Sequence, residues 1–333
     1  MENFIDLRSD TVTKPSKKMK EFMMSVPLGD DVYGEDPTVS KLEKKLAKLA
    51  NKEAGLFVPS GTQSNLLALL SHCQRGDEYI CGQEAHIYKY EGGGGAVLGS
   101  IQPQPIEFEN DASLDLDKVK AKIKAIDPHY ARTKLLCLEN THHGQPLSLE
   151  YIKKASTFAK KNKLSFHMDG ARIFNAVVEQ DIKLSDITKH VDSISICLSK
   201  GLGAPVGSVL LGSQKLINEA RHYRKMLGGG LRQSGILAAA GIYALDNNIK
   251  DLKRDHKLAL ELSNEIKKLK GIKLLSNHTN MLFISCKKED QLKSYLEKKG
   301  ILISGYGKLR IVIHRDISKD DIEKVIKAFK NFS

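Results

Sequence analysis

Small polar and apolar residues alternate through Ser193-Ile194-Ser195-Ile196-Cys197-Leu198, the two-residue period of a β-strand. The run stops at Ser199-Lys200-Gly201-Leu202-Gly203, where glycines mark a turn. The same grammar recurs upstream. Residues 54–58 form an apolar run that ends at Pro59-Ser60-Gly61-Thr62, and Leu66, Leu67, Leu69 and Leu70 carry on as a buried helix. Residues 78–81 lead towards His86, residues 134–138 reach Glu139-Asn140-Thr141-His142-His143, and residues 164–168 reach Asp169-Gly170-Ala171-Arg172. Helical spacing predicts helices over 116–123 and 149–160, residues 96–98 read as extended, and 207–211 reads as a further strand. Regular strand–helix alternation over 54–211 predicts an α/β unit with a mostly parallel sheet covered by helices on both faces.

The flanks differ. Residues 1–37 are polar and punctuated by Lys14-Pro15, Gly29-Asp30-Asp31, Tyr33-Gly34 and Asp36-Pro37, with a short helix over 16–25. Beyond residue 250 the pattern turns to a charged helix, then two strands, a helix, two strands and a last helix. The expected organisation is an N-terminal segment (1–37) that wraps the large domain or a neighbouring subunit, a large domain (38–250) and a small C-terminal α/β domain (251–333).

Composition narrows the class without choosing a function. The chain has 333 residues, 41% hydrophobic and 28% charged, which suits a globular protein with a sizeable core. The formal net charge of +12 comes from lysines scattered over helix faces with few aromatics among them, so it reads as a solubilising surface and not as a nucleic-acid footprint. No apolar run approaches the ~18 residues of a membrane span. Five widely spaced cysteines without a CxxC pair read as reduced thiols. The expectation is a cytoplasmic protein with no nucleic-acid partner and no membrane association.

Three strand ends carry chemistry. Gly61-Thr62 opens a helix after a strand, where free backbone N–H groups and the helix dipole suit a phosphate. Asp169 and Lys200 end two further strands, at the edge where open α/β sheets hold ligands. Each has an ordinary explanation when taken singly: a helix cap, a turn carboxylate paired with Arg172, a solvated turn lysine. Together they match pyridoxal phosphate, which requires N–H donors for its phosphate, an amine for its aldehyde and an acid that keeps the ring nitrogen protonated. His86 suits a ring stacked on that cofactor, although a loop histidine satisfied by its neighbours is the commoner case. The small Ser199, Gly201 and Gly203 leave room for a cofactor against the backbone. Neither His167 with Asp169 nor the His142-His143 pair has a metal-site spacing, so no metal is expected. The nearness of His129, Glu91 and Lys225 to the site does not follow from the sequence.

Six stretches carry a more specific likeness: IDLRSDTVTKP (5–15), GDDVYGEDPTV (29–39), PSGTQSNLLALLSH (59–72), HMDGARIFNA (167–176), CLSKGLGAPVGS (197–208) and GGGLRQSGILAAAGIYAL (228–245). They closely resemble the low-specificity L-threonine aldolases, enzymes of pyridoxal-phosphate fold type I, with GGGG at 92–95 as a departure. The resemblance implies an aspartate-aminotransferase-like fold, assembly as a homodimer or homotetramer with the site at a subunit interface, and aldol cleavage of threonine or allo-threonine to glycine and acetaldehyde. It implies Lys200 as the Schiff-base lysine, Asp169 as the partner of the ring nitrogen, and Arg172 near the phenolic oxygen. Ser60, Gly61 and Thr62 would hold the phosphate, and His86 would lie on the ring. Arg232 would reach a phosphate from the neighbouring subunit. Ser9, Arg172 and Arg310 would bind the substrate carboxylate, and His129 would lie near the substrate side chain. His86, His129 or a water they position would take the β-hydroxyl proton. The alternative is another fold-type-I lyase, serine hydroxymethyltransferase-like or β-eliminating.

Overall fold

The computed structural model describes residues 4–332. The chain enters as β1 (Ile5–Asp6). It then builds a seven-stranded sheet from β2 (Ala54–Val58), β3 (Asp77–Gly82), β4 (Gln102–Ile106), β5 (Arg132–Glu139), β6 (Ser165–Gly170), β7 (Ser193–Cys197) and β8 (Ser208–Gly212), in the order β2-β8-β7-β6-β5-β3-β4. The pairs β7–β6, β6–β5, β5–β3 and β3–β4 are parallel, whereas β8 runs antiparallel to both β7 and β2. Two reversals restore direction, so the carboxyl ends of β2, β6 and β7 lie on one edge, with Val58 and Cys197 both opposite Ser208. That edge is where the three strand ends singled out by sequence converge.

Two local readings are corrected. Residues 96–98 are not extended: Gly94–Val97 is a helical turn. The strand lies just after it, at β4, whose sequence Gln-Pro-Gln-Pro-Ile conceals it. Prolines cannot donate to a ladder, yet β4 is the outermost strand and Pro103 and Pro105 share one side of it, a position where a missing N–H costs no sheet bond.

A second sheet holds the C-terminal part. β9 (Ile272–His278) and β10 (Met281–Cys286) form a hairpin. After β11 (Ile301–Leu302), a further hairpin of β12 (Ser304–Tyr306) and β13 (Lys308–Val312) completes the order β12-β13-β10-β9. Its own apolar cluster includes Leu258, Leu262, Leu282, Ile311 and Phe329. The N-terminal segment ties both parts together within one chain. β1 pairs in parallel with β11, Leu7 donates to Leu302 and accepts from Val312, and Thr13 Oγ1 donates to the Lys200 carbonyl at 2.9 Å. The helix Lys17–Met24, capped by the Ser16 hydroxyl, then packs on the helix Gly235–Asn247.

Candidate active site

The helix Gly61–His72 begins where β2 ends. Ser60 caps it: its hydroxyl accepts from Gln63 N–H at 3.1 Å and its carbonyl from Ser64 N–H. Ser60 is thereby occupied as a cap, and the N–H groups of Gly61 and Thr62 are the ones left pointing off the helix end. Beside them the buried Ser208 Oγ has no hydrogen-bond partner among the described residues, and neither has Gln63 Oε1, which lies against Gly229. A Cβ built on Gly61 would meet Ser208 Oγ at 3.6 Å and nothing else within 4 Å. This is a cradle that a small anion fills, and a phosphate fits its donors.

Asp169, at the end of β6, is buried with both oxygens engaged: Oδ1 accepts from Ala171 N–H at 2.9 Å and Oδ2 from Asn65 Nδ2 at 2.9 Å. Burial, together with the neighbouring Glu139 carboxylate, pushes its pKa up. Asn65 spends its other amide hydrogen on Glu91 Oε1 at 2.8 Å, and the same oxygen meets His86 Nδ1 at 2.8 Å. That contact raises the His86 pKa, whereas burial raises the pKa of Glu91. His86 N–H donates to Glu139 Oε2 at 2.7 Å, and Glu139 Oε1 lies 3.1 Å from His142 Nδ1. His86, Glu91 and Asp169 bring their donor atoms within 4.8 Å of one another. The cluster is rich in buried carboxylates and short of fixed cations, so a protonated ring nitrogen fits beside Asp169.

Arg172, two residues past β6, is held as a fork by Asp10: Nε to Oδ2 at 2.8 Å and Nη2 to Oδ1 at 2.6 Å. Asp10 is fully buried; burial opposes its charge, but Arg172 holds its pKa down at about 2. Ser9, immediately before it, caps the short turn Asp10–Val12. Arg310 on β13 donates through Nε to the Arg8 carbonyl at 3.2 Å, and its pKa is lowered by burial and then by Arg172. Lys200 follows β7, half-buried, and its charge acts on Asp10, His86 and Asp169 alike. Its turn glycines answer to the protein's own packing. A Cβ on Gly203, whose φ is +77°, would lie 2.6 Å from the Arg315 side chain, and one on Gly201 would lie 3.1 Å from Leu252.

One chain therefore brings together Ser9, Ser60, Gly61, Thr62, His86, Asp169, Arg172, Lys200 and Arg310. Two expected residues stand apart. His129 is exposed, bonded to Asp127 Oδ1 at 2.6 Å, and precedes the first residue of β5, whereas Glu139 at the far end of β5 faces the site. At about 3.3 Å per residue the strand alone separates them by roughly 20 Å. Arg232 turns its Nη1 to Asp30 Oδ2 at 2.9 Å and lies over the Tyr33 ring. The sequence reading missed Asp10, Asn65, Glu139 and Ser208. Ser208 opens β8, and a strand start belongs to this edge once β8 is known to be antiparallel. Asn65 is one helical turn beyond Gly61, on the face turned to the sheet.

The family model described as beta-eliminating lyase matches residues 6–289. The low specificity L-threonine aldolase of Escherichia coli K12 is 53% identical over 98% of this chain and 99% of its own length. Low-specificity L-threonine aldolase 1 of Arabidopsis thaliana is 43% identical over 98% of this chain and 95% of its own. Among solved structures, the threonine aldolase of Leishmania major superposes with a TM-score of 0.87 at 21% identity, covering 98% of this chain and 99% of that one. This fold is the pyridoxal-phosphate fold type I, and the chain belongs to the family of low-specificity L-threonine aldolases.

Proposed function

We propose that this protein cleaves L-threonine and L-allo-threonine, and 3-hydroxy-2-amino acids like them, to glycine and an aldehyde with pyridoxal phosphate as cofactor. The observation that carries the reading is the convergence on one sheet edge of the Gly61-Thr62 cradle, the buried Asp169 carboxylate and Lys200. Bound there, pyridoxal phosphate supplies an aldehyde that condenses with an amine and a ring that takes up the electron pair freed at Cα.

The chain supplies the rest. Gly61 and Thr62 bind the phosphate through backbone N–H, with the Ser208 hydroxyl completing the cradle. Ser60 shapes that turn as its cap. Asp169 holds the proton on the ring nitrogen, Lys200 offers its ε-amine, and His86 covers the ring. Arg172, with Nε and Nη2 committed to Asp10, keeps Nη1 for the phenolic oxygen or the substrate carboxylate. Arg310 and Ser9 orient that carboxylate, so that the Cα–Cβ bond stands where it can break. His86, anchored through Nδ1, keeps Nε2 for the β-hydroxyl proton.

Self-association supports the two residues that stand apart. Tyr33, well exposed, lies under the Arg232 guanidinium, and an exposed aromatic side chain of this kind suits contact with a second copy. In a homodimer or homotetramer Arg232 and His129 would serve a neighbouring subunit's site. The five thiols, unpaired and four of them buried, support a cytoplasmic setting, and no helix among the described residues is long and apolar enough to cross a membrane. The family-model description favours β-elimination as a second reading. Incubating the pyridoxal-phosphate-loaded protein with each threonine diastereomer, while following acetaldehyde and glycine against 2-oxo acid and ammonia, separates the two. Acetaldehyde release that Lys200→Ala abolishes is the expected result; 2-oxo acid as the main product would displace the aldolase reading.

A further inference from the structure

A line of buried polar groups runs away from Asp169 into the protein. Asn65 Oδ1 meets His167 Nε2 at 3.2 Å, His167 Nδ1 meets Ser193 Oγ at 2.8 Å, and Ser193 Oγ meets His72 Nε2 at 2.7 Å. The backbone sets this spacing. His167 and Asp169 share one face of β6, Ser193 lies beside His167 on β7, and Asn65 and His72 lie two turns apart on one face of the helix Gly61–His72.

The direction of every hydrogen bond follows from the carboxylates. Asn65 must turn its NH2 to Asp169 and Glu91, because the reverse orientation sets its carbonyl against two carboxylates. Its Oδ1 then accepts, so His167 carries its proton on Nε2 and presents a bare Nδ1. Ser193 must donate to that Nδ1 and accept from His72, which carries its own proton on Nε2. Burial keeps both histidines neutral near pH 7, with values of about 3 for His167 and about 4 for His72.

We propose that His72, Ser193, His167 and Asn65 form one polarised hydrogen-bond chain that positions Asp169 and keeps its carboxylate charged for the cofactor's ring nitrogen. All four dipoles point their positive ends towards Asp169, and aligned hydrogen bonds strengthen one another in a low-dielectric interior. None of the outer three touches cofactor or substrate, so they are positioning residues. The assignment rests on reading Asp169 as the partner of that nitrogen.

Long-range 1H–15N spectra of histidine-labelled protein, without cofactor, report the tautomers directly. Neutral Nε2–H forms at His72 and His167 are expected, and an Nδ1–H form or an imidazolium at His167 would overturn the chain. With ring-15N pyridoxal phosphate bound, the wild type should show a protonated nitrogen. Ser193→Ala should move that signal towards the unprotonated position and weaken cofactor binding about threefold to tenfold, the scale of one buried hydrogen bond. His72→Gln, whose amide N–H reaches the place of Nε2–H, should cause neither loss. An unchanged ring-nitrogen signal in folded Ser193→Ala refutes the proposal. If the wild type binds no cofactor, the functional reading fails while the tautomers still decide the chain.

Discussion

Arg172 and Asp10 close on each other through two parallel bonds, Nε–Oδ2 at 2.8 Å and Nη2–Oδ1 at 2.6 Å, with Asp10 fully buried and Arg172 largely so. Asp10 stands in the polar leader and Arg172 just past β6, so this pair fastens the first residues of the chain to the site. Removing one partner of a buried pair leaves an uncompensated charge. Asp10→Asn should therefore cost about 3–5 kcal/mol at pH 7. The folded value of about 2 lies below the ordinary 3.8, so the carboxylate's contribution is complete above pH 4 and is lost as pH falls through about 2. Urea midpoints of wild type and Asp10→Asn should converge on acidification; a gap of constant size down to pH 3 would contradict the pairing.

Arg310 and Arg172 are like charges near enough for Arg172 to lower the Arg310 pKa. A carboxylate between two guanidinium groups relieves that repulsion and takes a bidentate contact. Lysine keeps the charge but lacks the fork. Arg310→Lys should raise KM for threonine about tenfold or more, the 1.5–3 kcal/mol of a charge-assisted hydrogen bond, and change kcat less. Steady-state kinetics decide this, and an unaltered KM would remove Arg310 from the carboxylate site.

His86 is the group whose protonation the site tunes most directly. Its contact with Glu91 is the largest influence and raises its pKa above 6.5, aided by Asp169 and opposed by burial and Lys200. A base must be neutral to accept the β-hydroxyl proton, so kcat/KM should rise as pH climbs through that raised value. Glu91→Gln removes the charge that favours the imidazolium, so the acidic limb should move to lower pH. A limb that stays in place, or moves up, would assign the base to another group.

How much of this was legible in the sequence depends on how local each signal is. Gly61-Thr62, Asp169 and Lys200 each end a strand with a clear hydrophobic period, so both their elements and their common edge could be read. The antiparallel β8 could not, because direction is set by pairing between distant strands; Ser208 was lost with it. β4 was lost to Pro103 and Pro105, which suppress a strand signal everywhere except at an open edge. Asp10 and Asn65 carry ordinary polar side chains, and their importance comes from long-range partners, Arg172 in one case and Asp169 with His167 in the other. His129 and Arg232 are named by resemblance, and within one chain their side chains turn to Asp127 and Asp30.

Gly61 separates binding from folding most cleanly. Its φ is not in the left-handed region, and a Cβ there would make one ordinary contact, Ser208 Oγ at 3.6 Å. Neither backbone strain nor packing within the protein calls for glycine at this helix position. Alanine should therefore leave the cofactor-free fold intact and stabilise it by about 0.4–1 kcal/mol, through the unfolded chain's lost freedom. The same methyl group projects into the cradle beside the N–H groups of Gly61 and Thr62, where a phosphate must approach the backbone closely. Gly61→Ala should raise the dissociation constant for pyridoxal phosphate about tenfold or more, since about 1.4 kcal/mol of lost contact is a factor of ten. Thermal melting without cofactor and a cofactor titration read the two effects apart. Opposite signs are expected, because the glycine serves the ligand at the expense of the fold; unchanged affinity with raised stability would place the phosphate elsewhere.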